Sequence, residues 1–342
     1  MTSAVTARDL LADPVDALLE ATVAGSFSRL GYEVRSRLLP DFAEDADGRE
    51  QRLDGRTVLI TGATSGIGLA AATALTGLGA HVHLLARSAE RAERATRLIA
   101  AAAGPGSTGP RGTTGFGLAD LDDLESVRRF AARFQESHDR LDVLIHNAGA
   151  VHPCYQRTAD GLERTVAGQV VAPFVLTSLL LGLLSRSAPA RVITVSSGGM
   201  YARCADVAGL DAGPAGYRGV AAYALAKRTQ VALSAEWAAR TAGTGISFHA
   251  MHPGWVRTPG IARSLPVFSR LLGPALRTPD QGADTIVWLA SADQALLGSG
   301  GFWHDRRRRP EYRFPGPRHA RPGAGPMLWD WVTARATLSG SP

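Results

Sequence analysis

The most restrictive feature of this sequence is a glycine-rich segment that directly follows a short apolar run. Residues 57–61 read as a buried strand, and residues 61–68 continue Thr-Gly-Ala-Thr-Ser-Gly-Ile-Gly into a helical pattern. A strand, a tight turn and a helix in this order bring a helix N-terminus up to a phosphate group. Gly62 allows the turn, Gly66 lets the backbone approach a pyrophosphate, and Gly68 permits close packing of helix on strand. A turn with a purely structural role is the alternative.

Short apolar strands and helical stretches alternate along most of the chain. Strands are predicted at 57–61, 81–85, up to 119, 143–146, 192–195 and 246–251, with helices up to 79, up to 103, and over 121–137, 162–184 and 221–241. With right-handed crossovers this pattern predicts an α/β fold, a Rossmann-type doubly wound parallel sheet. We expect a single domain at 55–304. It follows an N-terminal extension, 1–54, and precedes an Arg- and Pro-rich C-terminal tail, 305–342, that lies on the surface or is partly disordered.

The extension shows apolar positions at helical spacing between Val15 and Leu30, which predicts one amphipathic helix. Such a helix packs on the body of the protein or on a second subunit. Attachment to a membrane surface is the minor alternative, because the opposite face is not rich in basic residues.

Composition narrows the classes of function. The net charge is +6, but the arginines are scattered among acids and the one tight run is 306–309, so we expect no nucleic-acid partner. Two isolated thiols, Cys154 and Cys204, without a recognisable secretory leader, predict a cytoplasmic protein. The apolar run 170–184 is shorter than the roughly 20 residues that span a bilayer, so no transmembrane span is expected. The histidine spacing predicts no metal site.

One lysine stands among the 37 basic side chains of this chain. It is Lys227, four residues after Tyr223, and positions i and i+4 share one face of a helix. A nearby ammonium favours the phenolate, so we expect the pKa of Tyr223 to lie below its ordinary value of about 10. Tyr223 is therefore a candidate acid/base. The alternative is an ordinary surface helix in an arginine-biased sequence.

The end of the second strand bears on nucleotide preference. An acidic residue there would bind a ribose 2′-hydroxyl, whereas an arginine would accept a 2′-phosphate. The strand ends Leu85-Ala86-Arg87-Ser88, without an acid. Arg87 therefore favours NADP over NAD, unless it merely begins the surface of the next helix.

Together these motifs resemble the short-chain dehydrogenase/reductase (SDR) superfamily over about residues 55–303. The motifs are the glycine-rich loop at 61–68, Asn147-Ala148-Gly149, Ser196-Ser197, Tyr223 with Lys227, and Pro253-Gly254. Within the superfamily the chain most resembles the orphan dehydrogenase/reductases of the member 12 type. Stretches 191–200, 251–255 and 281–285 carry that closer likeness.

The resemblance implies an NADP(H)-dependent oxidoreductase that moves hydride between nicotinamide and a carbonyl or alcohol. It implies that Ser197 binds the substrate oxygen, that Tyr223 exchanges the proton, and that Lys227 lowers the pKa of Tyr223 and binds the nicotinamide ribose. Asp120 and Leu121 would flank the adenine. Further cofactor contacts are implied at Gly62, Thr64, Ser65, Gly66, Ile67, Gly68, Asn147, Ala148, Gly149, Pro253, Gly254 and Thr258.

One position departs from the pattern. The superfamily usually has an asparagine on the long helix before the fifth strand, where it supports a water relay behind the lysine, and Gln169 stands there. The longer amide predicts reduced but not abolished turnover. A catalytically weakened, NADP-binding regulatory or scaffolding protein is the alternative function.

The substrate and the assembly are less constrained. An apolar segment between Pro259 and Arg277 lies where the superfamily has its substrate lid, which suggests a lipophilic carbonyl or alcohol. The alternative, to which we give equal weight, is that the segment is apolar only because it packs against the core. The uncharged helix over 170–184 suggests a homodimer by analogy.

Overall fold

The computed structural model describes residues 7–39, 52–102, 112–264, 266–313 and 323–338. Its centre is a sheet of eight strands. They are β1 (Thr57–Thr61), β2 (His81–Ala86), β3 (Thr113–Leu118), β4 (Val143–His146), β5 (Ala190–Val195), β6 (Ile246–Met251), β7 (Gly301–His304) and β8 (Arg307–Arg308). The order is β3-β2-β1-β4-β5-β6-β7-β8, parallel as far as β7, with β8 antiparallel to β7. The predicted doubly wound parallel sheet is confirmed.

Helices flank the sheet on both faces, as crossover connections between parallel strands require. The helices of the extension are α1 (Ala7–Glu20), α2 (Val23–Phe27) and α3 (Arg29–Leu38). Those that follow are α4 (Gly66–Gly77), α5 (Ala89–Ala102), α6 (Leu124–Ser137), α7 (Arg164–Arg186), α8 (Val207–Leu210), α9 (Gly219–Arg240), α10 (Pro259–Ser264), α11 (Pro266–Leu271), α12 (Pro279–Ser291), α13 (Gln294–Leu297) and α14 (Ala324–Leu338).

Two apolar layers hold the helices to the sheet. Alternate residues of a strand point to opposite faces, so Leu59 of β1 faces one layer while Val58 and Ile60 face the other. The layer around Leu59 contains α6, α7, α9 and α14, and the other contains α4, α5 and α12. Because β1, β4, β5 and β6 are buried at every position, these strands read in the sequence as continuous apolar runs rather than as alternating ones.

Helix α7 is the one helix of the described residues that is long and apolar enough to cross a membrane by length and composition alone. Of its apolar window, 72% is buried inside the protein, and such a helix is commonly the core helix of a soluble fold. Its residues 167–171 form a π-helical segment between two α-helical parts. Segments of this kind occur often at functional sites.

The single amphipathic helix predicted in the extension is wrong. The chain forms three helices there because Thr22 and Ser28 each begin a new one, accepting hydrogen bonds from the backbone N–H of Gly25 and Gly31. The expected packing on the body is found. Phe27 is 3% exposed and belongs to a small apolar cluster with Met200, Tyr201, Val231, Ala250 and Phe302 of the body.

The expected surface tail after residue 305 is also wrong for the residues that the structure describes. Residues 307–308 add strand β8 to the sheet, and helix α14 packs on α7 and α9 through buried Leu328, Trp331 and Val332. The apolar positions of α14 lie beyond the basic run that dominated the sequence-based interpretation.

Candidate active site

The loops that follow β1, β4, β5 and β6 meet at the carboxyl edge of the sheet, where parallel α/β proteins bind their ligands. This edge carries Gly62, Asn147, Ser197 and Pro253, one from each loop. The parallel order of the four strands therefore brings together motifs that are separated by up to about 190 residues in the sequence.

The glycine-rich loop has the geometry of a phosphate cradle. Gly62 and Gly66 adopt positive φ angles of 69° and 56°, which glycine reaches without strain. A Cβ on Gly62 would lie 2.8 Å from the Cα of Ala148, and a Cβ on Gly66 would lie 3.3 Å from the methyl group of Thr258. Ser65, the N-cap of α4, makes no side-chain capping hydrogen bond within the described residues, so its side chain does not occupy the N–H groups of the first helical turn. The residues present therefore fit a pyrophosphate.

Asn147 supports this loop from the neighbouring strand. Its Nδ2 donates to the carbonyl oxygens of Thr61 at 2.9 Å and Gly62 at 3.2 Å. The backbone N–H groups of Asn147 and Ala148 both donate to Thr61 Oγ1 at 3.0 Å.

Of the predicted cofactor residues, Ile67 turns its side chain toward Gly282 of α12, so only its backbone can face a nucleotide.

Three of the four predicted catalytic residues, Ser197, Tyr223 and Lys227, come together, and the fourth, Gln169, lies beside Lys227. Ser197 begins the turn after β5, and its hydroxyl lies beside the phenol of Tyr223, whose pKa it lowers. One turn further along α9, Lys227 is 2% exposed, and its Nζ lies 5.5 Å from the centre of the Tyr223 ring. Lys227 Nζ donates to the carbonyl oxygen of Val195 at 2.8 Å. Ser196 Oγ donates to the carbonyl oxygen of Lys227 at 2.8 Å, which ties α9 to the end of β5.

Burial dominates the electrostatics of this group. It raises the pKa of Tyr223, and the neighbouring hydroxyl of Ser197 only partly offsets the rise. Burial likewise lowers the pKa of Lys227 to about 7. The expectation that Lys227 lowers the pKa of Tyr223 is therefore wrong for the protein alone. Lys227 is buried and Tyr223 is half-buried, and the loss of hydration is the largest cause of both pKa shifts.

Gln169 lies in the π-helical segment of α7, beside Lys227. The side-chain Nε2 of Gln169 donates to the carbonyl oxygen of Ala150 at 2.7 Å, and the backbone carbonyl oxygen of Gln169 accepts from Gln230 Nε2 at 2.6 Å. A Cβ added to Gly149 would lie 3.0 Å from both Gln169 Oε1 and Lys227 Nζ, so the amide oxygen and the ammonium flank the same backbone position. Gln169 Oε1 has no hydrogen-bond partner among the described residues.

A cavity of about 30 Å³ continues behind Gln169. His146, Gln230 and Ser234 line it, and each presents a buried polar atom with no hydrogen-bond partner among the residues described: Nδ1, Oε1 and Oγ. A cavity of this size and polarity has room for on the order of one or two water molecules. The sequence analysis missed these three residues, although polar residues inside an otherwise apolar helix or strand were a usable signal.

The adenine end of the site lies at the ends of β2 and β3. The side chain of Arg87 is 57% exposed, and its guanidinium lies 3.9 Å from Asp120 and 3.8 Å from Asp122. These separations are longer than hydrogen bonds. Asp120 and Leu121 directly follow β3, which pairs with β2, and their contact with the adenine stays a prediction. The structure thus places Arg87 and Asp120 side by side at the edge predicted to hold the ribose.

The predicted lid segment forms helices α10 and α11 directly after Thr258. Val267 and Leu271, four residues apart on α11, are 69% and 74% exposed. The side chains of Leu265 and Phe268, named in the same prediction, lie outside the described residues. These two positions put exposed apolar side chains one helical turn apart in the segment predicted to be the lid.

Comparison with known proteins agrees with this geometry. The short chain dehydrogenase family model matches residues 56–265. The dehydrogenase/reductase SDR family member 12 of Bos taurus is 38% identical, over 84% of this chain and 86% of that protein. Retinol dehydrogenase 14 of Mus musculus is 37% identical, over 74% of this chain and 78% of that protein. Pseudomonas aeruginosa RhlG, solved as an NADP active-site complex, aligns with a TM-score of 0.59 and 26% identity, over 74% of this chain and 95% of that chain. The resemblance inferred from the motifs is confirmed.

Proposed function

This chain belongs to the short-chain dehydrogenase family and is an oxidoreductase, and on that premise we propose that it uses NADP(H) to interconvert a lipophilic carbonyl compound and its alcohol. The observation that carries the proposal is the meeting of the Ser197 hydroxyl with the phenol of Tyr223, with Lys227 buried one helical turn away. A proton donor and an oxygen-binding group at one point are what reduction of a carbonyl needs.

In the direction of reduction, the bound nicotinamide supplies the hydride. Ser197 Oγ holds the substrate oxygen, and Tyr223 Oη gives it a proton as negative charge develops there. The raised pKa of Tyr223 keeps the phenol protonated at neutral pH, which suits a proton donor. Lys227, with a pKa of about 7, gains or loses its proton near neutrality and so can pass one on toward the phenol. Oxidation of the alcohol runs these proton transfers in reverse.

The preference for NADP rests on Arg87. Its exposed guanidinium at the end of β2 is available to a 2′-phosphate, since its nearest carboxylates lie at 3.8 Å or more. The similarity to the NADP complex of RhlG supports the same preference. Arg87→Ala is expected to weaken NADPH binding about tenfold or more and to leave NADH binding within about twofold, because a charged hydrogen bond contributes about 1.5–3 kcal/mol. Equal losses for both cofactors would refute the assignment.

A lipophilic substrate is supported by the exposed apolar pair of α11 and by the similarity to a retinol dehydrogenase. Val267→Ser with Leu271→Ser is expected to raise KM for a long-chain aldehyde at least several-fold, while KM for a short, polar aldehyde stays the same. An equal change in KM for both aldehydes would show that α11 does not contribute to the binding of lipophilic substrates.

One observation favours the weakened, regulatory alternative. Gln169 stands beside Lys227, where the family usually has an asparagine. NADPH binding without turnover of any carbonyl compound would support this alternative.

The deciding experiment compares the purified protein with three variants. Binding of NADPH and NADH is measured first, followed by NADPH oxidation across aliphatic and cyclic aldehydes and ketones. Tyr223→Phe and Ser197→Ala are expected to lose at least about 10²-fold in kcat, since general acid catalysis contributes about that much. Tyr217→Phe is the matched control, because Tyr217 hydrogen bonds to Glu163 and Thr165 and not to Ser197. Turnover that survives Tyr223→Phe would refute the proposed mechanism.

A homodimer is a further proposal. Helix α7, the suggested seam, packs against α6 and α14 of its own chain. Its exposed Leu179 is the apolar position left for a partner. Light scattering of the wild type and Leu179→Glu tests this directly, since a dimer through α7 would dissociate in the variant.

A further inference from the structure

The N-terminal extension reaches the catalytic face of the protein. Its short helix α2 ends at Phe27, next to the loop after β5, which carries Ser197, and the loop after β6, which carries Pro253 and Gly254. The backbone N–H of Trp255 donates to the carbonyl oxygen of Phe27 at 2.8 Å. The end of α2 is thus hydrogen bonded to the loop predicted to contact the cofactor.

The ring of Phe27 fills the space beside the residue that follows Ser197. A Cβ built on Gly198 would lie 2.5 Å from Cε2 of Phe27, so ring and backbone are in direct contact. The ring also packs edge-on against His252, with 4.3 Å between ring centres, and against Trp255 at 6.0 Å. Phe27 is 3% exposed, so the ring is enclosed by the body of the protein.

Two buried arginines fix α2 in this place. Arg277 Nη2 donates to the carbonyl oxygen of Ser26 at 2.9 Å, and Arg277 Nε donates to that of Phe27 at 3.1 Å. Arg35 Nη1 donates to the carbonyl oxygen of Ser26 at 3.0 Å. Both guanidinium groups also bind the buried carboxylate of Asp305. The carbonyl groups at the end of α2 are thereby satisfied by side chains that cannot move without breaking a buried ion pair.

From these contacts we propose that Phe27 is a positioning residue for Ser197. Gly198 has no side chain with which to fix its own backbone, and the ring of Phe27 supplies the packing that a side chain would otherwise provide. The turn that Phe27 supports also aims Ser197, whose Oγ accepts from the backbone N–H of Gly199 at 3.3 Å and lies beside the phenol of Tyr223. The extension is therefore a working part of the active site. This inference rests on the proposed function, in which Ser197 holds the substrate oxygen.

Small displacements of a group that orients substrate are costly, because an error of about 1 Å in the reacting geometry can lower a rate by about 10²-fold. We therefore expect Phe27→Ala to lower kcat by about 10-fold to 10²-fold. The dissociation constant of NADPH should change by less than about threefold, because the phosphates are held at the glycine-rich loop on another strand. Phe27→Leu, which restores most of the volume, should recover most of kcat.

The control is Phe134→Ala. Phe134, on α6, is 2% exposed and packs against Phe130 of the same helix and His83 of β2, three strands away from β5. Both variants remove a buried ring, so both lose stability, but only Phe27→Ala should lower kcat and speed hydrogen exchange of the amides at 197–202. Equal kcat and equal exchange in the two variants would overturn the proposal.

A double-mutant cycle adds a test that general destabilisation does not mimic. Gly198→Ala alone should lower kcat, since the new methyl group meets the ring of Phe27. In the Phe27→Ala background the same methyl enters vacated space, so its further effect on kcat should be small or favourable. Additive losses would show that the two positions are not coupled.

The proposed function and this inference fail in different ways. If the wild-type protein oxidises NADPH with none of the carbonyl compounds, the proposed function fails, and hydrogen exchange at 197–202 alone judges the role of Phe27. If the wild type is active and Phe27→Ala matches it in kcat and in exchange, the proposed function stands and the positioning role is wrong. If Phe27→Ala does not fold, Phe27→Leu and Gly198→Ala carry the same comparison.

Discussion

The buried guanidinium of Arg35 is expected to be one of the strongest single contributors to the stability of this protein. Its side chain is fully buried and binds three carboxylates: Asp16 at 2.7 Å, Glu20 at 2.8 Å and Asp305 at 2.8 Å. Arg35→Met keeps most of the volume of the side chain and removes the charge. Breaking a buried ion pair by removing one partner costs about 3–5 kcal/mol, because the remaining charge is left without compensation.

The structure narrows that range. Asp16 and Glu20 retain contacts with Arg309, at 2.7 and 3.7 Å, and Asp305 retains Arg277. No carboxylate is left alone, so we expect Arg35→Met to cost about 3 kcal/mol, the lower end of the range. Urea denaturation at pH 7, followed by tryptophan fluorescence, measures this as a lower midpoint.

The matched control lies on the same helix. Arg29 pairs with Glu33 at 2.6 Å, but the two side chains are 51% and 32% exposed, and exposed pairs contribute at most about 1 kcal/mol. Arg29→Met should therefore be close to neutral. Equal effects of Arg35→Met and Arg29→Met would refute the reasoning, since it depends on burial and not on the number of ion pairs.

The pH dependence gives an independent check. Without Arg35 the buried carboxylates bind protons more readily in the folded state, so the deficit of Arg35→Met should shrink as the pH falls from 7 toward 4. A deficit that stays constant over this range would mean that lost packing, rather than uncompensated charge, causes the destabilisation.

Three further predictions follow from single sites. Gln169→Asn, which restores the residue usual in the family, should raise kcat several-fold if the longer amide slows proton transfer beside Lys227; an unchanged steady-state rate would end that idea. Burial alone would raise the pKa of Asp16, but Arg309 and Arg35 hold it at about 2, below its ordinary 3.8. The depressed pKa adds about 2 kcal/mol to the free energy of unfolding, in full above about pH 4, and this contribution is lost as the pH falls toward 2. The melting temperature should therefore drop between pH 4 and pH 2. A melting temperature that does not change over this interval would contradict the ion-pair assignment. Gly68→Ala should abolish NADPH binding because its methyl group would collide with Asn147 and Gly62, whereas Gly77→Ala on the same helix, with nothing within 4 Å, should be neutral or slightly stabilising; titration calorimetry and thermal melts distinguish the two.

The sequence by itself determined six of the eight strands, all but β7 and β8, and the identity of the candidate catalytic residues. The strands over 143–146 and 246–251 match the structure residue for residue, because buried parallel strands are short apolar runs between turn residues. The spacing of Tyr223 and Lys227 put them on one helix face because the geometry of a helix is local. Strand runs and helix faces depend on a few neighbouring residues, so they can be predicted without knowing how the rest of the chain packs.

Only the tertiary structure decided the protonation behaviour and the roles of the two termini. Spacing indicated that Lys227 lies near Tyr223, but burial, which depends on everything packed around them, turned the expected fall in the pKa of Tyr223 into a rise. Likewise, nothing near Phe27 in the sequence indicates a contact with Gly198, 171 residues further on, and nothing near Arg35 indicates Asp305. Hydrophobic periodicity predicts that a residue is buried, but the partner against which it is buried is a property of the folded chain.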